Sequence, residues 1–256
     1  MKNKFTILGC GSSLGSPWIN QNWGNCNKMN KKNIRSRCCA HIKYKNLSIL
    51  IDTSPDIKQQ LINNKIKEVD SIIYTHEHAD QTAGIFEFRP IYFSNQKIIS
   101  IYCNIQTKNR IKKSYSWLFK STNLYPQIMQ VKNTSSNFFI KKKSSKISFQ
   151  SLDVNHGKVK TRGYLFHKIA YISDCNAIPY RTMLKLKKLN ILIIDCFRYE
   201  KHITHLDLYS AIKLIKDLNP KKAILTNMHI DLDYNKLKKI LPKNIIPAYD
   251  GLSFNF

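Results

Sequence analysis

Short apolar runs bounded by polar or turn-forming residues recur along the chain and predict most of its strands. They lie at residues 5–10, 39–44, 47–51, 69–74, 98–102, 147–152, 163–166, 169–173, 191–194, 222–226, 245–249 and 252–254. Segments with helical periodicity or helix-start signals fall between them, at residues 56–63, 107–118, 180–187, 206–218 and 234–240. This alternation predicts an α/β (α+β) fold, a four-layer αββα sandwich of two mixed β-sheets with the helices outside.

The composition is that of an ordinary globular protein, with 256 residues of which 43% are hydrophobic and 23% charged. No internal repeat and no linker rich in Pro, Gly or Ser interrupts it, so we expect a single domain over residues 1–256. No apolar stretch approaches the ~20 residues that span a bilayer, and no signal-peptide core follows Met1. We therefore expect a cytoplasmic protein that does not contact a membrane. The seven cysteines are scattered and form no C-x-x-C pair, which argues against a disulfide framework or a thiolate zinc site.

The strongest compositional bias is a formal net charge of +26. A charge of this size attracts nucleic acid and other phosphate-bearing partners. The lysines are spread along the chain, however, and no aromatic stacking pattern accompanies them. Nucleic acid is therefore an alternative partner rather than the favoured one, and the sequence leaves both a monomer and a homodimer open.

The most informative polar motif follows the predicted strand at residues 69–74 and contains His76, His78 and Asp80. In an extended or turning segment, side chains at alternate positions point the same way. Two imidazoles and a carboxylate that converge on one point form a site for zinc, manganese or iron. A metal held in this way turns water into a nucleophile near neutral pH.

Other residues of ligand type also stand where a predicted strand ends, namely Asp52, His156, Asp174 and His229. Side chains collected from the same ends of several strands line one edge of a sheet sandwich. The sequence therefore predicts that distant segments contribute to a shared metal centre.

The order of these motifs resembles that of the metallo-β-lactamase-fold hydrolases over essentially the whole chain. The residues that carry the resemblance are Asp52, the H-x-H-x-D run at 76–80, His156, Asp174 and the closing strand before 227–229. More narrowly, the chain resembles the phosphoribosyl 1,2-cyclic phosphate phosphodiesterase-like branch, through residues 8–13, 51–56, 204–206, 231–234 and 248–251. The resemblance implies a metal-dependent phosphodiesterase that acts on a small cyclic or nucleotide-like phosphate ester.

The resemblance also implies a set of ligands. His76, His78 and His156 would hold one divalent transition metal, zinc or manganese, and Asp174 would bridge to a second metal bound by Asp80. The chain departs from the family pattern at Gln81 and Asn227, where the family usually has histidine. Amide oxygens are weaker ligands for zinc than imidazole is. Three outcomes stay open: one metal only; a second, weaker metal that uses Asp80, Asp174, an amide and His229; or loss of catalysis. We favour one firm site, with the second weak or absent.

Further roles concern protons, phosphate and orientation. The resemblance makes His205 the acid that protonates the leaving group, with His202 as the backup, and it includes Asp80 in the catalytic set. Arg35, Arg37 and Arg89 are candidates for gripping phosphate with a planar guanidinium. Asp52 is expected to orient the metal loop rather than to bind metal.

Two alternatives compete with the phosphodiesterase. The first is an RNA-processing nuclease of the same superfamily, which the net charge of +26 suits, although no inserted RNA-binding arm is visible in the sequence. The second is a metal-poor relative without catalysis that binds a phosphorylated ligand or a partner, which the departures at Gln81 and Asn227 suit.

Overall fold

The structure is a computed structural model that describes residues 3–132 and 134–256. Its strands are β1 (Lys4–Gly9), β2 (Cys39–Tyr44), β3 (Leu47–Ile51), β4 (Ser71–Ile73), β5 (Ile99–Tyr102), β6 (Met129–Lys132), β7 (Asn137–Lys142), β8 (Ser145–His156), β9 (Val159–Phe166), β10 (Ile169–Ile172), β11 (Ile191–Asp195), β12 (Lys222–Thr226), β13 (Ile245–Pro247) and β14 (Ser253–Asn255). Its α-helices are α1 (Ile57–Asn63), α2 (Ala79–Thr82), α3 (Arg89–Asn95), α4 (Ile105–Ser114), α5 (Tyr180–Lys185), α6 (Leu208–Leu218) and α7 (Tyr234–Ile240). Short 3₁₀ helices lie at Lys31–Asn33, Ala83–Phe88 and Ser116–Leu118.

The strands form two mixed sheets. One has the order β14-β1-β2-β3-β4-β5-β6 and the other has the order β13-β12-β11-β10-β9-β8-β7. In the first sheet β2 and β3 are antiparallel, whereas β3, β4, β5 and β6 run parallel. In the second, β8, β9 and β10 are antiparallel neighbours, whereas β10 to β13 run parallel. The prediction of two mixed sheets with helices between the strands is confirmed.

The chain folds into two compact units. Unit 1 comprises Met1–Leu8, Cys39–Ser148 and Ser253–Phe256, and unit 2 comprises Gly9–Cys38 and Phe149–Leu252. Each unit contains parallel strands whose carboxyl ends carry polar residues of the predicted site. The single domain over residues 1–256 stays a prediction.

Most of the predicted strands lie where the pattern placed them, but two strands of the structure, β6 and β7, were not predicted. Strands β6 and β7 are the terminal strands of their sheets. An edge strand has a neighbour on one side only and is less buried, so its sequence need not show a continuous apolar run. Burial in β7 alternates weakly, and of its residues Ile140 alone is fully buried. Helices α2 and α3 were also missed, because α2 has only four residues and α3 has no fully buried residue to leave a periodic apolar pattern.

Two helix starts differ from the prediction because capping side chains move them. Helix α6 begins at Leu208 rather than at 206, since the Asp207 side chain accepts a hydrogen bond from Ser210 N at 2.9 Å. Helix α4 begins at Ile105, since Asn104 accepts one from Thr107 N at 2.8 Å. His205 therefore precedes its helix. None of the helices in the described ranges is both long and apolar enough to cross a bilayer.

Candidate metal centre

In unit 1 the polar residues of the site follow two neighbouring parallel strands. β3 and β4 are in register from Ile49 opposite Ser71 to Ile51 opposite Ile73, so their carboxyl ends meet at one edge of the sheet. Asp52 follows β3 directly, and Thr75 and His76 follow β4. The edge of a parallel sheet beyond its carboxyl ends is where α/β folds place their ligands.

Asp52 fixes the orientation of His76 through Thr75. The Asp52 carboxylate, which is fully buried, accepts hydrogen bonds from Thr75 N at 2.8 Å and Thr75 Oγ1 at 2.9 Å. Because Thr75 Oγ1 donates its proton to Asp52, its contact of 3.0 Å with His76 Nδ1 requires that Nδ1–H be the donor. His76 Nε2 is then unprotonated and available to a metal, as the predicted orienting role of Asp52 requires.

His78 lies against His76, so that two imidazole nitrogens converge. His76 Nε2 is 2.9 Å from His78 Nδ1, and the ring centroids are 4.4 Å apart. In a tetrahedral zinc site two ligand nitrogens lie about 3.3 Å apart. A small shift of either ring would therefore seat both nitrogens on one cation, and the pair fits a divalent metal.

The Asp52 loop also positions the segment that carries Asp80. Thr53 N donates to Gln81 O at 2.8 Å, and Gly84 N donates to Thr53 O at 2.9 Å. A Cβ atom at position 84 would lie 2.1 Å from Ser54 O, so only glycine permits this approach.

Asp80 and Gln81 interact directly in the first turn of α2. The Gln81 amide donates from Nε2 to Asp80 Oδ2 at 3.0 Å, and the Gln81 side chain is buried. The residue that stands in place of the family's histidine is therefore a hydrogen-bond donor to the neighbouring carboxylate.

Unit 2 repeats the arrangement at the carboxyl ends of three parallel strands. Ile172 of β10 lies opposite Ile194 of β11, and Asp195 lies opposite Thr226 of β12. Asp174, Asp195 and Asn227 follow or end these strands and are all buried.

His156, at the end of β8, has its tautomer set by the backbone. Its Nδ1 lies 2.8 Å from the carbonyl oxygen of Thr204, which can only accept, so Nδ1 carries the proton and Nε2 is unprotonated. His156, Asp174 and His205 each bring one potential ligand atom within 4.8 Å of the others. This donor set also fits a divalent metal.

His205 is held by a buried carboxylate. Its Nδ1 lies 2.8 Å from Asp195 Oδ2, which also accepts from Cys175 N at 2.9 Å. Burial raises the pKa of Asp195 to about 6, against the opposing effect of its hydrogen bond with His205. The ring of Phe197 stacks on His205 with centroids 4.8 Å apart. His205 therefore directs its other nitrogen, Nε2, away from Asp195.

Asn227 lies between two buried carboxylates of unit 2, those of Asp174 and Asp195. Its Nδ2 lies 3.3 Å from Asp174 Oδ1 and 3.2 Å from Asp195 Oδ1, and it is also 3.1 Å from His205 Nδ1. Its φ of 60° lies in the left-handed region, which asparagine tolerates better than most residues. Asn227, like Gln81, thus directs an amide N–H, and not its oxygen, at a carboxylate of the predicted second-metal set.

Two further histidines of unit 2, His229 and His202, have other partners. His229 Nδ1 lies 2.9 Å from Asp231 Oδ2, and the His229 ring makes an edge contact with Trp18. His202 Nδ1 lies 3.1 Å from Thr204 Oγ1, and its ring is 5.3 Å from that of His205. The pKa of His202 is lowered by desolvation and then by the neighbouring His205. His229 is therefore held by Asp231, and a role as metal ligand would require it to break that contact.

The three arginines predicted to bind phosphate differ in the partners that their guanidinium groups already have. Arg35 is buried; Nη1 donates to His229 O at 3.2 Å, and Nη2 donates to Asn33 Oδ1 and Leu232 O. Arg35 therefore joins its own segment to the loop that follows β12. Arg37 Nε donates to Ser13 O at 3.2 Å. The Arg89 guanidinium lies 5.0, 5.7 and 6.0 Å from the ring centroids of Tyr125, Trp117 and Phe93, which leaves its N–H groups for an anion.

Sequence reasoning missed Asp195, Thr75 and Phe197. Asp195 ends a predicted apolar strand, the same signal that singled out Asp52 and Asp174, so it could have been found. Nothing in the sequence pattern indicates that Thr75 lies between Asp52 and His76, or that the ring of Phe197 contacts His202, His205 and His229.

Residues 48–230 match the family described as a beta-lactamase superfamily domain. The fold is also similar to a crystal structure of a new diphosphatase from the PhnP family, with a TM-score of 0.91 and 29% identity, over 100% of this chain and 98% of that one. Zn(2+)-bound PqqB from Methylobacterium extorquens has a TM-score of 0.81 at 13% identity, over 99% and 100% of the two chains. Human tRNase Z, short form, has a TM-score of 0.70 at 15% identity, over 98% of each chain.

A curated relative is longer than this chain. It is a protein of Porphyromonas gingivalis (strain ATCC BAA-308 / W83) named octanoyltransferase, 27% identical over 250 residues. The alignment covers 96% of this chain and 50% of that protein, so the chain spans about half the length of the curated relative that it matches.

Proposed function

Because this chain belongs to the beta-lactamase superfamily, we propose that it is a metal-dependent hydrolase that cleaves a small phosphodiester or a related phosphate linkage. One observation carries the proposal. His76 donates its Nδ1–H to Thr75 Oγ1, and His156 donates its Nδ1–H to Thr204 O. Both Nε2 atoms are therefore unprotonated and can bind a metal. Buried imidazoles prepared in this way are what metal ligation requires.

The ligands that we propose are those that the sequence resemblance implies, namely His76, His78, His156 and Asp174. Zinc and manganese both suit this donor set. A divalent metal supplies a Lewis acid for the phosphate and lowers the pKa of water toward neutrality.

His205 is the proposed proton donor. When water adds to phosphorus and the bond to the leaving oxygen breaks, that oxygen needs a proton. Asp195 holds Nδ1 of His205, so Nε2 is the nitrogen that delivers the proton. The Asp195 carboxylate also stabilises the charged imidazolium from which the proton leaves. His202 is the backup for this role.

We propose one firm metal site and a second that is weak or absent. The support comes from Gln81 and Asn227, whose amide nitrogens donate to Asp80 and Asp174 respectively. In the family pattern a histidine at each of these two positions would help to bind a metal next to the carboxylate. Here an amide donates a hydrogen bond to that carboxylate instead. Asp80 stays a candidate ligand for the second, weaker metal, and His229 could join it after leaving Asp231.

Arg89 is the arginine best placed to bind substrate phosphate. Three aromatic rings hold its guanidinium, and no hydrogen bond to it is found in the described residues. The partly exposed rings of Phe93, Trp117 and Tyr125 could stack on a base, which would suit a nucleotide-like substrate. Arg37 remains a weaker candidate.

An RNA-processing nuclease is the second candidate, and the net charge of +26 favours it. The aromatic rings around Arg89 suit it as well. A protein that tracks an RNA backbone loses affinity steeply as salt rises, because each neutralised phosphate releases counterions. Retained turnover of small diesters between low and physiological salt, with weak RNA binding, would exclude this candidate.

Octanoyl transfer, the activity named for the longer relative, has less support in this chain. All seven cysteines are buried, and burial raises the pKa of Cys10, Cys38, Cys175 and Cys196. Buried thiols with a raised pKa are poor nucleophiles for acyl transfer.

The proposal is tested with the purified chain of residues 1–256, a panel of phosphodiesters and elemental analysis. We expect about one tightly bound transition metal per chain and hydrolysis of at least one small diester with zinc or manganese. The variant Gln81→His/Asn227→His should raise the metal content toward two per chain. Absence of bound metal under conditions that spare it, together with no hydrolysis, would support the non-catalytic binding protein instead.

A further inference from the structure

A cavity of about 380 Å³ lies in unit 1, and none of its lining residues is a candidate metal ligand. Its lining includes Lys4, Lys43, Lys65, Lys67, His41 and Ser48, and one acidic residue, Glu68. The volume is at the lower end of the range for small-molecule sites, which run from roughly 300 to 1,000 Å³. Four lysines in so small a space make the cavity strongly basic.

The first sheet forms one wall. Lys43 of β2 lies opposite Ser48 of β3, and His41 is two residues away on the same face. Lys4 lies on β1, the other neighbour of β2 in the sheet. The opposite wall is the segment after α1, which carries Lys65 and Lys67.

A chain of hydrogen bonds ties the two walls together. Ser48 Oγ donates to the carbonyl oxygen of Glu68, and Ser48 N donates to Asp70 Oδ2 at 2.9 Å. Because the Ser48 proton is used in this way, its contact of 2.8 Å with His41 Nε2 makes His41 the donor. The cavity is therefore held open by bonded groups, and the neutral His41 ring has an unprotonated Nδ1.

Glu68, which lines the cavity, and the neighbouring Asp70 both lie near a fifth lysine, Lys142. Lys142 Nζ lies 2.7 Å from Asp70 Oδ1 and 3.7 Å from Glu68 Oε2. Within the part of the chain that the structure describes, Lys4, Lys43, Lys65 and Lys67 form no ion pair with a carboxylate. Burial lowers the pKa of His41 to about 4, and the charges of Lys43 and Lys4 act in the same direction. Four lysines therefore stand against the single carboxylate of the lining, that of Glu68, and the net charge of the cavity is positive.

We propose that this cavity is a binding site for a small, multiply charged phosphate anion of the size of pyrophosphate. Lysine ammonium groups bind phosphate as point charges, and several of them around one cavity favour more than one negative charge. Lys43 is half-buried, whereas Lys4, Lys65 and Lys67 are exposed, so the attraction weakens as the salt concentration rises. The site is independent of the proposed hydrolase function, and either can fail without the other.

The test is calorimetric titration of the full chain with inorganic pyrophosphate at physiological ionic strength. The variant Lys43→Gln/Lys67→Gln removes one lysine from each wall, and we expect it to weaken binding by about tenfold or more. The matched control is Lys141→Gln/Lys143→Gln, which removes the same charge from two exposed lysines of the β7 hairpin. The control should bind within about twofold of the original chain, a range that small long-range charge effects allow.

A second measurement uses the original chain alone, so it does not depend on how the variants fold. Histidine NMR titration should show the pKa of His41 rising when pyrophosphate is saturating, because the anion offsets the lysine charges. Equal loss of affinity in both double variants, no loss in the cavity variant, or an unmoved His41 pKa would each overturn the proposal. Tighter binding of a single-stranded oligonucleotide that both double variants weaken equally would instead identify a diffuse nucleic-acid surface and would also overturn it.

Discussion

Each unit uses a buried aspartate to orient a histidine of the candidate site, but the two aspartates contact their histidines in different ways. Asp52 in unit 1 and Asp195 in unit 2 are both fully buried at the end of a parallel strand. Asp52 acts on His76 through the hydroxyl of Thr75, whereas Asp195 contacts His205 directly. The Thr75 hydroxyl fixes the tautomer of His76 and keeps the Asp52 carboxylate out of direct contact with the imidazole ring. The direct carboxylate contact also stabilises a protonated ring, which suits ligation in unit 1 and proton transfer in unit 2.

The units share a second feature. Each contains an amide where the family pattern has a histidine, and each amide donates to an aspartate: Gln81 to Asp80, and Asn227 to Asp174. A departure in one unit alone would say little. Two departures with the same chemical result support the proposal that the second metal site is weak or absent.

The largest expected effect comes from removing a ligand of unit 1. His78→Ala should abolish both tight metal binding and hydrolysis, a loss of at least about a thousandfold in kcat/KM. Metal analysis and steady-state kinetics measure the two losses. His167→Ala, the same change at an exposed turn residue, is the control and should retain both. Hydrolysis that survives His78→Ala would mean that the chemistry lies elsewhere.

A smaller loss is expected from the proton donor of unit 2. His205→Gln should lower kcat by about 10²–10⁴-fold while the metal content stays near that of the original chain. Substrates with a good leaving group, which need no proton, should lose much less. If the metal is lost with His205, then His205 is a ligand together with His156 and Asp174, and the contrast between the two units fails.

The orienting carboxylate of unit 1 should act on metal affinity rather than on the chemical step. Asp52→Asn replaces an acceptor oxygen by a donor, so the Thr75 hydroxyl can no longer be held as an acceptor for His76. Loss of such an orienting partner typically costs roughly 10–100-fold in metal affinity, with kcat at saturating metal changed less. Competition with a chelator measures the affinity. An unchanged affinity would show that Thr75 orients His76 without Asp52.

The smallest effect is on stability and is confined to unit 1. His41 has a folded-state pKa of about 4, below the value near 6.5 of the unfolded chain, so the unfolded state binds the extra proton between these values. Above a pH near 6.5 the neutral His41 contributes its full stabilisation, on the order of 1–3 kcal/mol. This contribution is lost as the pH falls toward about 4, the folded-state pKa. The raised pKa of Asp195 in unit 2 acts with the opposite sign, since its folded state holds a proton more tightly.

Urea denaturation at pH 7 and pH 5 of the original chain and of His41→Gln tests this stability difference. The substitution should reduce the drop in the free energy of unfolding between the two pH values, because glutamine does not titrate. The same drop in both proteins would assign the acid sensitivity to other groups.

Much of the fold could be predicted because it depends on local pattern. Strands β2, β3 and β12 and helix α7 lie within the predicted bounds, since buried strands and amphipathic helices leave continuous or periodic apolar positions. The edge strands β6 and β7 were missed because exposure weakens that pattern. The start of α6 was misplaced because the cap of Asp207 decides it.

By itself the sequence determined which residue types stand at the strand ends: His76, His78, His156, Asp174 and the two amides. The tertiary structure alone decided how these side chains are used. It pairs Asp195 with His205, places Asn227 between two carboxylates, buries Arg35 against the loop that follows β12 and brings four lysines of unit 1 around one cavity. The reason is physical: periodicity records which face of a segment is buried, whereas a hydrogen-bond partner, a tautomer or a local potential depends on residues far apart in the chain.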